Sequence, residues 1–379
     1  FIKYHLETPK YDVDECKQRD FTFAAALKVT LRIQRFEIDE ENPEQKTFRD
    51  SVDDEVYLGD IPFMTNRGTF VFNGIERVVV SQMHRSPGVF FDHDKGKGHP
   101  SGKLLYSARI IPMRGSWIDF EFDVKDIMYV RVDRKKKMLA STFFMALENN
   151  LNTKNKKKNK SKGRTPEDIL NYFYSNVQIT AVNNGWITDF DENQFNNIRI
   201  TFDLVDTKKH SIIKKSGSKI SLEEAKKLKK EGLKEFFLSD QTIIGRYLAE
   251  DIINESTGEI YFEAGDEITE KDLENFKKNN IKNIKILNID HVNVGAALRN
   301  TIHADLNLNR EEALIDIYKN LRPGEPPTLE AAENLFHNYF FNPERYDLSI
   351  VGRYKLNNRK ELNINEKVNV LTPRDIIEV

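Results

Sequence analysis

Alternation of apolar and polar side chains is the first pattern in the chain, and it predicts strands. Its two-residue period is that of a strand that buries one face and exposes the other. The alternating segments are residues 27–33, 117–123 and 129–132. Each is long enough for a sheet strand, so we expect a large β component.

Turn residues add further strand predictions before residue 90. Residues 68–74 are typical of a strand followed by a turn, because Asn73-Gly74 closes an apolar run. The polar residues 37–54 predict a hairpin or a loop. A Val-rich run, 76–83, predicts a strand that leads into the turn Ser86-Pro87-Gly88.

Helical spacing takes over later in the chain. Apolar residues recur at helical spacing in 141–148, 166–174 and 309–321, and the proline-rich stretch after residue 321 ends the third helix. Thr328 is placed to cap the helix that follows, with Ala331, Leu335 and Phe336 on its apolar side. The segment 299–379 is therefore predicted to be mostly helical.

Both ends of the chain suggest a longer protein. The chain starts at Phe1 without Met, in a strand-like run. Near the other end, Thr372 and Pro373 have the pattern of a helix start, and the helix stops after about two turns. We expect the sequence to be a fragment.

An internal repeat with an offset of 48 residues occupies the middle of the chain. Ile220-Ser221 matches Ile268-Thr269, and the amphipathic segments that follow match as well. Each copy predicts a capped helix followed by a short strand. Neither helix can bury its apolar stripe alone, so the copies should pack on each other or on shared strands.

Composition excludes several classes of protein. With 379 residues, 39% hydrophobic and 31% charged, the chain is long enough for two or three globular domains. No apolar run is long enough for a transmembrane helix, and no secretory signal opens the chain. A single cysteine, Cys16, cannot form an internal disulfide, which favours a reducing, cytoplasmic location.

Charge is distributed unevenly although the formal net charge is only −2. Residues 77–179 contain 20 Lys and Arg against 10 Asp and Glu, whereas the rest of the chain contains 38 against 50. A basic segment on an acidic body is typical of a face that meets nucleic acid, and it is also found on ordinary solvated surfaces. The Lys-rich run 154–164 is either a DNA-facing tether or a solvated loop, and we favour the loop.

Catalytic motifs are weak. Phosphodiester synthesis needs metal ions held by clustered carboxylates, and no Asp-x-Asp-x-Asp cluster occurs. Asp92 and Asp94, with His93 and His99, lie in a Lys- and Gly-rich loop that disfavours a cation. The segment 96–103 departs from a phosphate-binding loop in two places: Lys97 stands where Gly is required, and Leu104 follows where Ser or Thr is required.

Six sequence blocks resemble the bacterial DNA-directed RNA polymerase beta subunit, in the order of that family. The most specific is Asn73–Asp92, which contains Arg85-Ser86-Pro87-Gly88. The others are 55–65, 108–117 with Arg114-Gly115-Ser116-Trp117, 130–134, 322–328 with Arg322-Pro323-Gly324-Glu325-Pro326-Pro327, and 345–353. The similarity weakens at 151–164 and 185–287, and the repeat resembles an insertion that some bacterial beta subunits carry.

The resemblance implies a multidomain α+β fragment with four segments. Residues 1–76 would be part of the mostly β protrusion domain, and 77–187 the first half of a mixed domain called the lobe. Residues 188–298 would be an inserted α+β module with the repeat, and 299–379 the helical second half of the lobe.

The resemblance also implies the DNA-binding residues. Those implied are Arg85, Arg114, Trp117, Asp133 and Arg134, with Arg322 and Arg353 as weaker candidates. Arginine makes bidentate bonds to phosphate, and a tryptophan stacks on an unpaired base with about 1–3 kcal/mol. From the residues alone, a core tryptophan and a surface Asp–Arg ion pair are favoured; the resemblance reverses this for Trp117 and Arg134. Val80 would lie at the edge of the family's rifamycin pocket, unless it is a buried strand valine.

The function that the resemblance implies is a wall of the DNA channel, contacting downstream DNA and the non-template strand. The expected partners are DNA, the second large subunit, the alpha subunit and a sigma factor, with no membrane. No cofactor is expected in the fragment, because the family's other large subunit holds the magnesium; the fragment alone would be inactive and monomeric. The alternatives are a free-standing nucleic-acid-binding adaptor and a nucleotide-using enzyme built on the Gly/Lys loop.

Overall fold

The computed structural model describes all residues except 39–45, 149–162, 183–184, 196, 208–210 and 255–256. The chain forms two compact units, Phe1–Arg85 and Ser86–Val379. The Lys-rich run predicted as a loop falls outside the described residues, apart from Gly163 and Arg164.

The first unit is mostly β. Its strands are β1 (Lys3–Leu6), β2 (Ala24–Ile38), β3 (Lys46–Pro62), β4 (Phe70–Phe72) and β5 (Ile75–Arg77), and its helix is α1 (Val13–Gln18). β1, β2 and β3 form an antiparallel sheet, and β4 pairs with β5. The predicted hairpin is confirmed, but its strands are much longer than the alternating residues 27–33, because cross-strand pairs such as Arg32 with Asp53 extend the ladder into solvent.

The turn Asn73-Gly74 is confirmed, and the strand predicted at 76–83 is wrong beyond Arg77. Both turn residues have positive φ, 49° and 75°, as a two-residue hairpin turn requires. Residues 78–85 form no strand, and Val80 is 79% exposed. A valine-rich run needs a partner strand and a buried face, and this run has neither in the unit.

The second unit opens with a five-stranded antiparallel meander, which we call the lobe sheet. Its strands are β6 (Gly88–His93), β7 (Tyr106–Ile111), β8 (Ile118–Phe122), β9 (Met128–Val132) and β10 (Met138–Leu139), in the spatial order β10-β9-β8-β7-β6. The predicted strands in 117–123 and 129–132 are confirmed, with boundaries one residue different.

Helices cover this sheet. They are α2 (Ala140–Ala146), α3 (Pro166–Phe173), α7 (Ala297–His303), α8 (Arg310–Leu321), α9 (Leu329–Phe340), α10 (Ser349–Lys360) and α11 (Pro373–Glu378). The Thr328 cap is confirmed, since its side chain accepts from the Ala331 amide. Strands and helices share one apolar core that includes Ile110, Phe120, Phe143 and Phe336.

Within the second unit, the middle of the chain forms a sheet with its own apolar core, and we call this part the module. It contains β11 (Asn176–Val182), β12 (Gly185–Asp189), a 3-10 helix (Glu192–Phe195), β13 (Ile198–Arg199), β14 (Leu204–Asp206), β15 (Ile212–Lys214), β16 (Lys219–Ile220), α4 (Leu222–Lys230), β17 (Glu235–Leu238), α5 (Asp240–Ile243), β18 (Ile252–Ile253), β19 (Ile260–Phe262), α6 (Glu270–Lys278) and β20 (Asn283–Leu287). Its main sheet has the order β15-β14-β17-β12-β11-β20.

The repeat prediction is confirmed. Ser221 and Thr269 each begin a helix with a capping box, and the helices α4 and α6 lead into β17 and β20. Both strands lie in one sheet, and both helices contribute to one core with Ala225, Leu273 and Phe276. The copies therefore bury their apolar stripes on shared strands.

The module sheet starts before residue 188. β11 pairs with β20, and β12 pairs with β17, so both β11 and β12 belong to the module's sheet and core. Asn176 lies directly opposite Leu287, so the points at which the chain enters and leaves the module lie side by side. The predicted boundary at 188 falls inside β12.

Candidate nucleic-acid interface

Trp117 and Asp133 meet at the end of the β8–β9 pair. Ile118 is opposite Val132, so the residues just beyond the pair face each other. The Asp133 amide donates to the Trp117 carbonyl at 3.0 Å, and the Trp117 amide donates to Asp133 Oδ1 at 2.8 Å. The Asp133 carboxylate therefore has a defined orientation before any ligand arrives.

A tight turn presents Arg134. Asp133 and Arg134 have φ of 50° and 59°, and the Lys135 amide donates to the Val132 carbonyl at 2.9 Å. Two consecutive left-handed residues match the geometry of a type I′ turn, which is uncommon for Arg. Arg134 is exposed, and its guanidinium carbon lies 5.4 Å from the centroid of the Trp117 ring.

Trp117 is half-buried, so it is neither a fully buried core tryptophan nor a fully exposed stacking surface. A second arginine, Arg109, has its guanidinium carbon 5.9 Å from the same ring. Arg109 also makes an ion pair with Asp119, which is 3% exposed on the neighbouring strand. The guanidinium groups of Arg109 and Arg134 both lie over the Trp117 ring, and part of the ring stays exposed, which suits contact with an unpaired base.

Arg114 lies on the loop just before Trp117. It is exposed, and its Nη2 donates to the Pro343 carbonyl at 3.2 Å, while its backbone pairs with Asp347. Gly115, with φ of 126°, brings the loop against Tyr346; a Cβ there would come 2.6 Å from the ring. Burial, together with the nearby Asp375 carboxylate, raises the pKa of Tyr346, which therefore stays neutral.

Arg322 is close to the same turn but already has a partner. Lys135 Nζ donates to the Leu321 carbonyl at 3.0 Å, which joins the turn to the end of α8. Arg322 pairs with Glu325 at 3.2 Å. Hydrogen bonds from the Tyr318 hydroxyl and Arg322 lower the pKa of Glu325. Glu325 therefore stays ionised and competes with phosphate for Arg322.

Arg353 cannot contact DNA in this structure. Its side chain is fully buried and pairs with the equally buried Asp375 at 2.6 Å. The remaining donors reach the Val368 and Val370 carbonyls at 2.8 and 2.5 Å. Each of the three guanidinium nitrogens of Arg353 already donates to a partner within the fold, so we do not assign Arg353 to a DNA-binding surface.

Arg85 and Val80 belong to the first unit. Arg85 is exposed near the end of a segment without regular structure, and Val80 in that segment is exposed rather than a buried strand valine. His84 Nδ1 contacts the Arg85 carbonyl at 2.9 Å. The predicted roles of Arg85 and Val80 stay predictions.

The acidic and Gly/Lys loop between β6 and β7 has a structural use. Asp94 accepts from the Gly96, Gly98 and Leu105 amides, and these bonds lower the pKa of its carboxyl group. Lys103 pairs with Asp126 at 2.7 Å. Within the described part of the chain, no group of three or more His, Cys, Asp or Glu is placed to hold a metal ion.

Sequence reasoning missed Arg109, Asp119 and the cations after the turn. Arg109 and Asp119 are a directly opposed pair on β7 and β8, visible only once the strand register is known. Lys137 lies 3.9 Å above the Tyr129 ring and continues the basic edge of the turn. Four basic residues in a row, 134–137, were the available clue.

Among the described residues, no helix is both long and apolar enough to cross a bilayer.

Comparison with known proteins finds similarity to RNA polymerase subunits. Residues 267–379 match the model of RNA polymerase Rpb2, domain 2. The whole chain is 49% identical to a DNA-directed RNA polymerase subunit beta of Caulobacter vibrioides and to one of Rhizobium leguminosarum bv. trifolii, and 50% identical to one of Jannaschia sp.. The chain spans 26–27% of the length of these curated relatives, so it corresponds to about a quarter of such a subunit. The resemblance stated from the sequence blocks is confirmed, as is the mixed α+β class.

Proposed function

The chain is a relative, over all of its 379 residues, of the bacterial DNA-directed RNA polymerase beta subunit, and we propose that it forms a wall of the DNA path in a transcribing polymerase. The second unit would be the lobe with its inserted module. Nucleotidyl transfer would use magnesium held by the other large subunit, and this chain would guide the nucleic acid.

The observation that carries the proposal is the cluster formed by Arg114, Trp117, Asp133 and Arg134. The structure brings these four residues to one end of the β8–β9 pair and its adjoining loop. Arg114 and Arg134 offer guanidinium groups to phosphate, and Trp117 and Asp133 offer an aromatic surface and a fixed acceptor to an unpaired base. Such a set fits separated strands better than a closed duplex.

Two substitutions separate the roles. Arg134→Ala should weaken binding to duplex and to bubble DNA alike, and lower the slope of log K against log salt by about one unit. Alanine keeps the Cβ, so the strain of the left-handed position is unchanged. Trp117→Ala should weaken binding to bubble DNA more than to duplex, because only an unpaired base can stack, and Trp117→Phe should restore most of the difference.

Arg359→Ala is the matched control. Arg359, on α10, also lies over an aromatic ring, that of Phe91 at 5.5 Å, and Phe91 is on β6, an edge strand of the lobe sheet. Its removal should leave the salt slope unchanged.

If Trp117→Ala unfolds the chain, or weakens duplex and bubble binding equally, Trp117 is a core residue and the stacking role is wrong.

A further inference from the structure

The module has a strongly polarised charge. Residues 199–234 contain 11 Lys and Arg against 5 Asp and Glu, whereas the rest of 176–289 contains 6 against 15. The basic stretch runs from β13 through α4, and its two ends lie together, because β13 pairs with β16 and α4 follows β16 directly. One end of an otherwise acidic body is therefore positive.

Two cations at this end face each other. Arg199 is the direct partner of Lys219 in the β13–β16 pair, so their side chains lie on the same side of it. Both are exposed, and within the described parts of the chain neither takes part in an ion pair. Like charges directly opposite each other are unfavourable, and an anion between them relieves the repulsion.

The helix α4 extends the cationic surface. Lys226 and Lys230 are exposed and four residues apart, which places them about 6 Å apart along one helix face. Other lysines nearby are neutralised: Lys214 pairs with Glu224 at 3.1 Å, and Lys229 pairs with Glu192. Arg199, Lys215, Lys219, Lys226 and Lys230 form what we call the basic face.

The internal repeat shows that the fold does not require a cation at two of these positions. In the second copy, Glu267 stands at the position of Lys219, and Glu274 at the position of Lys226. Both copies have the same cap, helix and strand. The scaffold therefore accepts either sign at these two positions, whereas the position of Lys230 keeps a lysine, Lys278, in the second copy.

A polyanion fits the basic face better than a folded protein does. Protein interfaces are enriched in aromatic residues and depleted in lysine. Among the described residues of 199–238, Ile212 is the only exposed large apolar side chain. Closely spaced lysines without an apolar centre suit the phosphates of a nucleic-acid backbone.

We infer that the basic face of the module is a second nucleic-acid contact, which binds the phosphate backbone without reading its sequence. It is separate from the Trp117 cluster, because all of its cations belong to the module. The contact would add affinity and salt dependence, and no preference between duplex and bubble DNA.

The test uses the 379-residue chain and a short labelled duplex across a salt series. The triple variant Arg199→Gln, Lys219→Gln and Lys226→Gln should lower the salt slope by about two to three units, at about 0.9 for each phosphate contact. The control triple Lys271→Gln, Lys278→Gln and Lys282→Gln removes three exposed lysines from the second copy and should leave the slope unchanged. Circular dichroism confirms that each variant is folded.

Arg134→Ala, added to both triples, separates this inference from the proposed function. A further loss of about one unit in each background supports two independent contacts. An unchanged slope in the first triple overturns the basic face and leaves the lobe cluster standing. Equal losses in the two triples would also overturn it, as would tighter binding of polyglutamate than of DNA, which would indicate an acidic protein partner.

Discussion

Arg353 shows how an arginine in a matching motif can serve the fold alone. Its guanidinium is enclosed with the Asp375 carboxylate, and Asp375 also accepts from the Thr372 amide at 2.7 Å in the cap of α11. The sequence offers arginines of equal appearance, and only burial distinguishes those that can meet phosphate. Removing one partner of a buried pair leaves the other charge without compensation.

Arg353→Met should therefore destabilise the second unit by about 3–5 kcal/mol and leave the salt slope of DNA binding unchanged in the folded protein. Urea unfolding followed by Trp117 fluorescence, in a Trp186→Phe background, measures this. Arg374→Met is the control: Arg374 is the exposed neighbour of Pro373 in α11, and its loss should change stability by less than about 0.5 kcal/mol. A stable Arg353→Met variant with a lower salt slope would return Arg353 to the DNA surface.

Arg322 has the opposite character, being exposed but occupied by Glu325. Glu325→Gln should free Arg322 and raise the salt slope by up to about one unit, and adding Arg322→Gln should cancel the gain. Because the pKa of Glu325 is lowered on folding, its ion pair supports the fold at neutral pH and is lost as pH falls through that lowered pKa. DNA titrations at neutral pH measure the effect, and an unchanged slope in Glu325→Gln would place Arg322 outside the interface.

At the scale of elements, periodic segments with a cap or a defined turn were predictable. The strands β8 and β9, the helices α8 and α9 and the Asn73-Gly74 turn follow from local pattern, because each carries its own period or its own cap. The strand predicted at 76–83 was wrong beyond Arg77, because valine content alone cannot supply a partner strand. The contacts within the Trp117 cluster could not be predicted from local pattern, because they depend on the register of β8 with β9.

The two repeat copies allow a direct test of their caps. Ser221→Ala should destabilise the module by about 1 kcal/mol, because it removes the acceptor of the Glu224 amide. Thr269→Ala should cost less, because the Thr269 hydroxyl donates to Asp272 Oδ2 and accepts from no helix amide. Trp186 is buried in the module core, and in a Trp117→Phe background it reports on the module alone.

Ser239→Ala is the control for the caps. Ser239 precedes α5 but makes no capping bond to the backbone, so its loss should have a smaller effect. If the three substitutions shift the transition equally, the capping boxes do not stabilise the module.

At the scale of the whole molecule, the module should be removable at the boundaries of its sheet. Asn176 and Leu287 are register partners, so a short Gly/Ser linker can join the chain after residues 176–287 are deleted. The remainder should fold with a lowered melting temperature, because Tyr247 and Ala249 of the module contribute to the lobe core.

Deletion of 188–290 is the comparison. It removes β17 and β20, so β11 loses its partner β20 and the remaining residues 185–187 of β12 lose their partner β17; this product should be less stable and more prone to aggregate. Circular dichroism and thermal melting of the two products decide between the boundaries. Equal stability of both products would mean that residues 176–187 do not depend on the module.

Exposed apolar surface is concentrated in the first unit. Ile33, Phe36, Phe48, Val79 and Met83 are each about half exposed or more. Among the described residues, the apolar cluster in the core of this unit comprises Cys16, Phe23 and Val71, and Ala25 and Val29 are also buried. A unit with so small a core and so much apolar surface suits contact with further protein.

Photocrosslinking from DNA tests the central claim most directly. Bubble DNA with a photoreactive base in one unpaired strand is bound to the 379-residue chain, and the crosslinked residues are mapped. The proposed function predicts crosslinks at residues 114–134 of the lobe, reduced by Trp117→Ala and much weaker when the bubble is replaced by closed duplex, in which the photoreactive base is paired and stacked. Crosslinks that lie elsewhere in the described lobe, or that persist equally with closed duplex, would contradict it.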